Sequence, residues 1–347
     1  MKGIILAGGT GSRLQPITHT TQKQLIPLAN KPVIQHVVER LCDTGISDIG
    51  VVLGDHYPDK VRNTLEDCGS RDVELTYIHQ GEPLGLAHAV SCCEDFVKDE
   101  PFLVYFGDTI LGRNLLDTLV SGFDKEDFDG SLVFQEVENP SRFGVANIAD
   151  GNLSGVLEKP DDPPSNLAYI GAVVLTKKVF AEIEHLEPSW RGEIELTHAL
   201  DRLVKKGKVR WEVENGLWKD VGTPDDVIET NKILMENIAT NGDSEENTTK
   251  VILGADSSIG DNVTIREPVI IGENTTITGK SVIGPYTCIG DRCIISDSKI
   301  QSSVIMNDTE LHLQDRLSKS IISNNSSINT KNEGITTLVV SEDTLIE

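Results

Sequence analysis

The chain has 347 residues, of which 31 are Lys or Arg and 55 are Asp or Glu, so its formal net charge is −24. This balance argues against a nucleic-acid-binding protein, because affinity for a phosphate backbone comes from clustered cations. With 38% hydrophobic and 25% charged residues the chain has a globular composition, and its length predicts about two domains. Residues 1–38 contain four basic and no acidic residues, which predicts that this segment binds an anion.

Up to about residue 240, short apolar runs alternate with amphipathic stretches. Buried strands are predicted for residues 3–6, 49–53, 75–78 and 102–106. The stretch 31–43 predicts a helix, with Asn30 as its N-cap and Pro32 in its first turn. Alternation of strands and helices predicts an α/β fold with a doubly wound, mainly parallel sheet, which binds ligands at the carboxyl ends of its strands.

Residues 241–250 are polar and predict a linker between a catalytic domain, 1–240, and a second domain, 251–347. In the second domain aliphatic residues recur every six positions, at Leu253, Ile259, Ile265, Ile271, Ile277, Ile283, Ile289 and Ile295. A hexapeptide period predicts a left-handed parallel β-helix. The period loosens after Ile295, so we expect further imperfect coils and a tail strand near residues 338–340.

The first predicted strand runs into a glycine-rich turn, whose candidate nucleotide-binding residues are Leu6, Gly8, Gly9 and Gly11. Glycines let the backbone approach a phosphate and point N–H groups at it. Arg13 in the turn and Lys23 shortly after it would place two cations near the same anion. The turn is not a Walker A loop, because no Gly-Lys-Ser/Thr closes it.

This turn carries a resemblance to a known family. The run 6–14 with Pro16, followed by Lys23-Gln24-Leu25-Ile26-Pro27, resembles the signature of the sugar nucleotidyltransferases and, within them, the glucose-1-phosphate thymidylyltransferases. The resemblance spans nearly the whole chain and implies a Rossmann-like catalytic domain. It also implies that the glycine turn and Arg13 hold the triphosphate of the nucleotide and that Lys23 lies by the α-phosphate.

Further segments follow in the family's order. Residues 80–89 resemble the base-reading segment, which implies that Gln80 and the backbone around Gly85 face a pyrimidine. Gln80 carries both a donor and an acceptor, which suits the edge of thymine or uracil. The resemblance also implies that Asp108 and Asp220 hold Mg²⁺, whose preferred ligands are carboxylate and phosphate oxygens.

The resemblance places the sugar 1-phosphate in a further set of segments. The candidate residues are Gly144, Glu158, Lys159 and Gly171, with Glu158 accepting from sugar hydroxyls and Lys159 paired with the 1-phosphate. Two positions depart from the family pattern. His198 stands where the family usually has Asp, and Thr109 replaces a common Asn.

The resemblance implies Mg²⁺-dependent transfer from dTTP to glucose 1-phosphate, giving dTDP-glucose and pyrophosphate, with Arg13, Lys23 and Lys159 as the catalytic cations. Three alternatives stay open. The nucleotide could be UTP, because only one methyl and one ribose hydroxyl separate the two substrates. The β-helix could transfer an acetyl group, for which His312 is the one histidine after residue 198. The chain could also be a non-catalytic regulatory homologue.

Several expectations concern the setting of the enzyme. The sequence has no apolar run of about 20 residues and no signal-peptide pattern at its start, so we expect a cytoplasmic protein that binds neither membranes nor nucleic acid. Its six cysteines show no metal-binding spacing and are expected to be reduced. The flat faces of a β-helix favour assembly, so we expect a homo-oligomer, with a trimer as the first expectation.

Overall fold

The computed structural model describes residues 1–66, 73–240, 251–314, 316–330 and 334–346. The predicted linker, 241–250, lies outside the described residues. The chain divides into two compact units, a first unit of Met1–Gly9 with Ile34–Asp220 and a second unit of Thr10–Val33 with Val221–Glu347. Residues 10–33 and 221–240 therefore group with the repeat strands. The predicted division into domains 1–240 and 251–347 stays a prediction.

The elements up to residue 240 alternate as the sequence predicts. The strands are β1 (Lys2–Leu6), β2 (Pro27–Leu28), β3 (Lys31–Pro32), β4 (Asp48–Gly54), β5 (Glu74–Gly81), β6 (Phe102–Phe106), β7 (Thr109–Leu111), β8 (Gly130–Glu136), β9 (Gly144–Ala149), β10 (Asn152–Glu158), β11 (Leu167–Leu175), β12 (Val209–Val213) and β13 (Trp218–Asp220). The α-helices are α1 (Val33–Asp43), α2 (Pro58–Glu66), α3 (Leu86–Ser91), α4 (Glu94–Val97), α5 (Arg113–Val120), α6 (Lys178–Ile183), α7 (Leu196–Lys206) and α8 (Pro224–Thr240). None of the described helices combines the length and the apolar character needed to cross a membrane.

The first unit is built on a nine-stranded sheet with the order β10-β9-β11-β6-β1-β4-β5, and β8 and β12 branch from β11. The four predicted strands are confirmed as β1, β4, β5 and β6, and they run parallel to one another. The other part of the sheet is largely antiparallel, because β11 pairs antiparallel with β6, β8 and β9. In the parallel part the strand order reverses at β1, which makes the carboxyl ends of β1 and β6 the place where such a sheet binds ligands.

The start of the first long helix differs from the prediction. The helix begins at Val33 and not at residue 31, because Lys31 and Pro32 pair with Leu28 and Pro27 in a small ribbon. Asn30, predicted as the N-cap, instead sits in the turn of that ribbon with a φ of 59°. Its Nδ2 donates to the Ile289 carbonyl at 2.6 Å. Asn is one of the few residues that tolerate this left-handed conformation. The turn therefore accounts for an asparagine at position 30.

Short strands continue through the repeat region. They are β14 (Val251–Leu253), β15 (Ser258–Ile259), β16 (Thr264–Ile265), β17 (Val269–Ile271), β18 (Thr276–Thr278), β19 (Val282–Ile283), β20 (Thr287–Ile289), β21 (Ile294–Ser296), β22 (Lys299–Gln301), β23 (Val304–Ile305), β24 (Glu310–Leu313), β25 (Arg316–Ser318), β26 (Ile321–Ile322), β27 (Ser327–Thr330), β28 (Ile335–Thr336), β29 (Val339–Val340) and β30 (Leu345–Ile346).

These strands form three stacked parallel sheets, in which every third strand pairs. The hexad residues stack in register, as Leu253 on Ile271 and Ile271 on Ile289 show. Those from Ile271 to Ile295 form the buried core, whereas Leu253 at the start of the stack is exposed. This arrangement is consistent with the left-handed β-helix that the period predicts. The stacking continues, because Ile289 pairs with Ile305 although fewer residues separate them than separate Ile271 from Ile289. The loosened period therefore reflects shorter turns between strands, while the strands still stack. The predicted tail strand is β29, which forms a further rung on β26.

Candidate active site

The glycine turn after β1 lies against the predicted base-reading residue. A Cβ atom at Gly8 would overlap Oε1 of Gln80 and would lie 3.3 Å from the backbone nitrogen of Gly54. Gln80 is buried, and its Nε2 donates to the carbonyl oxygen of Gly85 at 3.2 Å. The structure therefore brings Gly8, Gln80 and Gly85 together at the carboxyl end of the parallel strands, where only a glycine at position 8 leaves room for the amide.

Gly85 also joins the base-reading segment to the 192–197 segment. Its φ is 121°, and a Cβ would lie 2.6 Å from the backbone nitrogen of Ile194. Backbone hydrogen bonds run between the same segments, from Ile194 to Leu84 at 2.7 Å and from Ala87 to Ile194 at 3.0 Å. The position requires glycine both for its conformation and for this close approach.

The two predicted metal-binding aspartates meet through a pairing of distant strands. Asp108 follows β6, next to Gly107, whose N–H donates to the Leu6 carbonyl at 3.0 Å. β7 pairs antiparallel with β13, which puts Thr109 opposite Asp220. Asp108 is therefore one residue from the strand partner of Asp220, at the same edge as Leu6.

Thr109 has a defined role in this arrangement. Its side chain is fully buried, and its Oγ1 donates to Oδ1 of Asp220 at 2.9 Å. The indole Nε1 of Trp218 donates to the same oxygen at 3.2 Å. The position where the family commonly has Asn is thus occupied here by a residue that orients a candidate metal ligand.

The donor set of this edge would fit Mg²⁺. Among the described residues no three His, Cys, Asp or Glu side chains gather closely enough to hold a metal by themselves. Mg²⁺ does not require such a cage, because it is commonly bound by one or two carboxylates together with substrate phosphates and water. Asp108 and Asp220 would supply two hard carboxylates at the edge that includes Leu6, the first residue of the turn predicted to hold the phosphates.

The predicted sugar-phosphate residues come together around Glu158. Gly144 is its partner in the β9–β10 ladder, and a Cβ there would lie 2.6 Å from the Thr197 methyl group. Oε2 of Glu158 accepts from Thr197 Oγ1 at 2.9 Å, while Oε1 lies 2.9 Å from the Lys159 ammonium and 3.5 Å from the Arg191 guanidinium. Lys159 is thus paired with Glu158.

Arg191 and Glu195 are site residues to which the sequence assigned no role. Arg191 lies between Glu158 and Glu195, with its Nη1 at 3.3 Å from Oε1 of Glu195. Burial, reinforced by the nearby Glu158 carboxylate, raises the pKa of Glu195 above its ordinary value. The signal was available in the run Arg191-Gly192-Glu193-Ile194-Glu195, in which one cation is followed by two carboxylates.

Gly171, on β11, lies against the end of β6. It has a φ of 78°, and a Cβ would lie 3.0 Å from the ring of Phe106, at the end of β6. The same ring makes an edge contact with Tyr169 at a centroid distance of 6.0 Å. The glycine therefore lets β11 pass close to the strand that leads into Asp108.

The remaining cations lie in the second unit. Gly11 has a φ of 67°, accepts from Thr18 Oγ1 at 2.8 Å, and leaves only 3.1 Å between a Cβ built on it and the Cβ of Lys23. Arg13 is exposed and extends along Gly222, where a Cβ would lie 3.0 Å from its Nη2. Within the described part of the chain no acidic side chain forms a salt bridge with Arg13.

The predicted residues are therefore divided between the units. The first unit brings together the candidate base, metal and sugar groups: Leu6, Gly8, Gly9, Gln80, Gly85, Asp108, Gly144, Glu158, Lys159, Gly171 and Asp220. The second unit contains Gly11, Arg13 and Lys23, and the boundary falls inside the glycine turn, after Gly9. The fold is a Rossmann-like α/β fold, and the residues gathered on its sheet are those predicted to bind a nucleotide.

Comparison with known proteins shows the family to which the chain belongs. Residues 2–237 match the Nucleotidyl transferase family, and residues 265–347 match the GMPPB C-terminal domain. The chain belongs to the nucleotidyl transferase family.

Two curated relatives and one solved structure illustrate the match. The chain is 51% identical to Low-salt glycan biosynthesis nucleotidyltransferase Agl11 of Haloferax volcanii, over 68% of this chain and 67% of that protein. It is 36% identical to Glucose-1-phosphate thymidylyltransferase of Streptomyces antibioticus, over 94% of this chain and 92% of that protein. The structure of UDP-glucose pyrophosphorylase complexed with UDP-glucose superposes with a TM-score of 0.61 at 26% identity, over 68% of this chain and 98% of that one.

Proposed function

We propose that the chain transfers a thymidylyl group from dTTP to glucose 1-phosphate, giving dTDP-glucose and pyrophosphate. The observation that carries nucleotidyl transfer to a sugar phosphate is the gathering of Gly8, Gln80, Asp108 and Glu158 in one unit on a sheet whose strand order reverses at β1. The choice of dTTP and glucose 1-phosphate is supported by similarity to a thymidylyltransferase over 94% of the chain.

In the proposed reaction an oxygen of the sugar 1-phosphate attacks the α-phosphorus of dTTP. A new P–O bond forms as the bond from the α-phosphorus to the bridging oxygen of the β-phosphate breaks. The electron pair of that bond leaves with pyrophosphate. A sugar phosphate is already ionised at neutral pH, so the step needs neither a protein nucleophile nor a general base.

The barrier that the protein must lower is the repulsion between two polyanions. Arg13 and Lys23 are assigned to the triphosphate, and Lys159 to the sugar 1-phosphate. Lys159 must then exchange Glu158 for the phosphate, which frees the Glu158 carboxylate for sugar hydroxyls. Preorganised cations of this kind stabilise the charge of the transition state. Bound Mg²⁺ would add neutralisation of the phosphate charge, and Asp108 and Asp220 are the residues proposed to hold it.

The buried Gln80 amide is the proposed reader of the pyrimidine. Its side chain is positioned by Gly85 on one side and by the absence of a side chain at Gly8 on the other. An amide pairs equally well with thymine and uracil, so this geometry also accommodates UTP. The fold similarity to UDP-glucose pyrophosphorylase makes UTP the second candidate nucleotide.

A substrate matrix tests the proposal. Pyrophosphate release is measured with dTTP, UTP, ATP, CTP and GTP against several sugar 1-phosphates, with and without Mg²⁺. We expect the highest kcat/KM for dTTP with glucose 1-phosphate. A higher kcat/KM for UTP would identify UTP, and not dTTP, as the nucleotide substrate. No Mg²⁺-dependent release with any pair would support a non-catalytic homologue. Thiol release from acetyl-CoA with glucosamine 1-phosphate would reveal an acetyltransferase.

A further inference from the structure

His88 lies beside the amide that is proposed to read the base, although the proposed reaction gives this histidine no task. It is part of α3, and its ring Nδ1 lies 3.5 Å from Nε2 of Gln80. The same Nε2 donates to the carbonyl oxygen of Gly85 at 3.2 Å. The amide nitrogen of Gln80 is therefore flanked by a carbonyl oxygen and an imidazole nitrogen.

These two neighbours determine which atom of the amide remains for a ligand. An amide nitrogen carries two hydrogens and accepts none. One hydrogen of Nε2 is donated to Gly85, and the second can be donated to His88 when Nδ1 carries a lone pair. The remaining polar atom, Oε1, lies against Gly8 in the glycine turn and accepts no hydrogen bond from any residue that the structure describes. Gln80 is thus left with an acceptor on the side of the glycine turn.

Cys92 fixes the tautomer that this arrangement needs. It follows His88 by one helical turn, and its Sγ lies 4.0 Å from Nε2 of the ring. The same Sγ lies 4.0 Å from the backbone carbonyl oxygen of Gln80, to which the thiol donates. Burial raises the pKa of the Cys92 thiol, so the thiol keeps its proton at neutral pH. Because that proton goes to the carbonyl, the sulfur accepts from His88, which keeps the ring proton on Nε2 and leaves Nδ1 as an acceptor.

We propose that His88 is a positioning residue that, together with Gly85, turns Oε1 of Gln80 toward the base and thereby selects thymine or uracil against cytosine. Thymine and uracil carry a hydrogen on N3, whereas cytosine has a lone pair there. An amide oxygen accepts from the first two bases and repels the third. A site built around a hydrogen bond rejects an analogue that leaves its buried group unpaired. The inference rests on the proposed function, since it concerns the same nucleotide site, and it applies equally to dTTP and UTP.

The lengths of the two contacts set the size of the effect. Both exceed the distance of about 2.9–3.0 Å that is most common for such hydrogen bonds, so each is weak and the two act together. Without the imidazole nitrogen, one hydrogen of the buried Nε2 loses its partner, and the amide can rotate to offer an N–H group to a base. Loss of one such hydrogen bond changes an equilibrium constant by about three- to tenfold.

The test is equilibrium dialysis of radiolabelled UTP or CTP against the full chain, with Mg²⁺ and without a sugar phosphate. The two nucleotides differ only at N3 and C4 of the base, so the ratio of their dissociation constants reports on this edge alone. His88→Leu removes the ring nitrogen, and His88→Phe is a second removal variant that keeps a ring. His88→Asn places an amide oxygen near the position of Nδ1. His185→Leu is the matched control, because His185 is exposed and its ring forms no hydrogen bond with a described residue. A circular dichroism spectrum establishes that each variant is folded.

We expect the wild type to bind UTP about tenfold or more tightly than CTP. The removal variants should lower this ratio by about three- to tenfold, whereas His88→Asn and His185→Leu should keep it. The proposal is overturned if the wild type shows no preference for UTP, if the removal variants keep the wild-type ratio, or if His88→Asn loses as much as His88→Leu.

The experiment also separates this inference from the proposed reaction, because it measures binding without turnover. A wild type that prefers UTP to CTP in dialysis but releases no pyrophosphate in the substrate matrix would refute the reaction. The role of His88 in reading the base would then still stand or fall with the variants.

Discussion

The contact between Gly8 and Gln80 offers a sharp test of the nucleotide site. In Gly8→Ala the new methyl group would overlap the Gln80 Oε1 atom. The far end of a flexible side chain can move, so the protein should fold, but the amide would no longer face the base. Losing a positioned hydrogen-bonding group costs about 1–3 kcal/mol, which corresponds to a fall of about 5- to 150-fold in kcat/KM.

A double-mutant cycle shows whether the effect passes through Gln80. If it does, Gly8→Ala should cost little in a Gln80→Ala background, because the displaced amide is already missing. The assay is initial-rate pyrophosphate release at varied dTTP concentration. Gly260→Ala is the matched control, since a Cβ there meets only ordinary contacts, the nearest at 3.5 Å. Additive losses in the double variant, or unchanged kcat/KM in Gly8→Ala, would refute the proposed contact.

Further predictions address the charges of the site. Lys23→Ala or Asp108→Ala should lower kcat by about two orders of magnitude in the pyrophosphate assay, and near wild-type rates would remove these assignments. Thr109→Val should raise the half-saturating Mg²⁺ concentration about fivefold, because Asp220 loses a donor worth about 1 kcal/mol; an unchanged Mg²⁺ titration would count against the role of Thr109. The raised pKa of Glu195 means that the folded state holds its proton more tightly, so its contribution to stability falls as pH rises above the ordinary value of 4.5. Thermal melts should therefore show Glu195→Gln gaining stability relative to wild type as pH increases from that value, and parallel curves would contradict this. Light scattering should give about three times the chain mass of 37.9 kDa, whereas a single species near that mass would contradict the expected trimer.

Much of the fold follows from local patterns. Strands β1, β4, β5 and β6 are continuous apolar runs, and a fully buried parallel strand has this appearance because both of its faces are covered. The hexad period identified the repeat strands because one aliphatic residue per side must fill the prism. Even the irregular coils after Ile295 kept their register, since the buried column and not the corner length determines stacking.

Other features depend on contacts between distant residues. The helix start was misplaced because Pro27 and Leu28 capture Lys31 and Pro32 in a ribbon, a tertiary pairing that outweighs the local capping signal. The antiparallel part of the sheet was likewise not predicted, because apolar runs report burial and not strand direction.

In the candidate site, too, some features follow from local sequence and others depend on contacts between distant residues. Residue types and motifs indicated which side chains carry the chemistry, but not how they meet. Asp220 reaches the edge near Asp108 only through the pairing of β13 with β7, more than a hundred residues apart in sequence. Arg191 becomes part of the site only because Glu158 and Glu195 converge on it from different elements.

The most direct test of the proposed function is the ratio of kcat/KM for dTTP to that for UTP, with glucose 1-phosphate as the acceptor and Mg²⁺ present. We predict a ratio above one, with dTDP-glucose and pyrophosphate formed in equal amounts. A ratio below one would identify a uridylyltransferase and contradict the proposed nucleotide. No product from either nucleotide would contradict nucleotidyl transfer to glucose 1-phosphate itself.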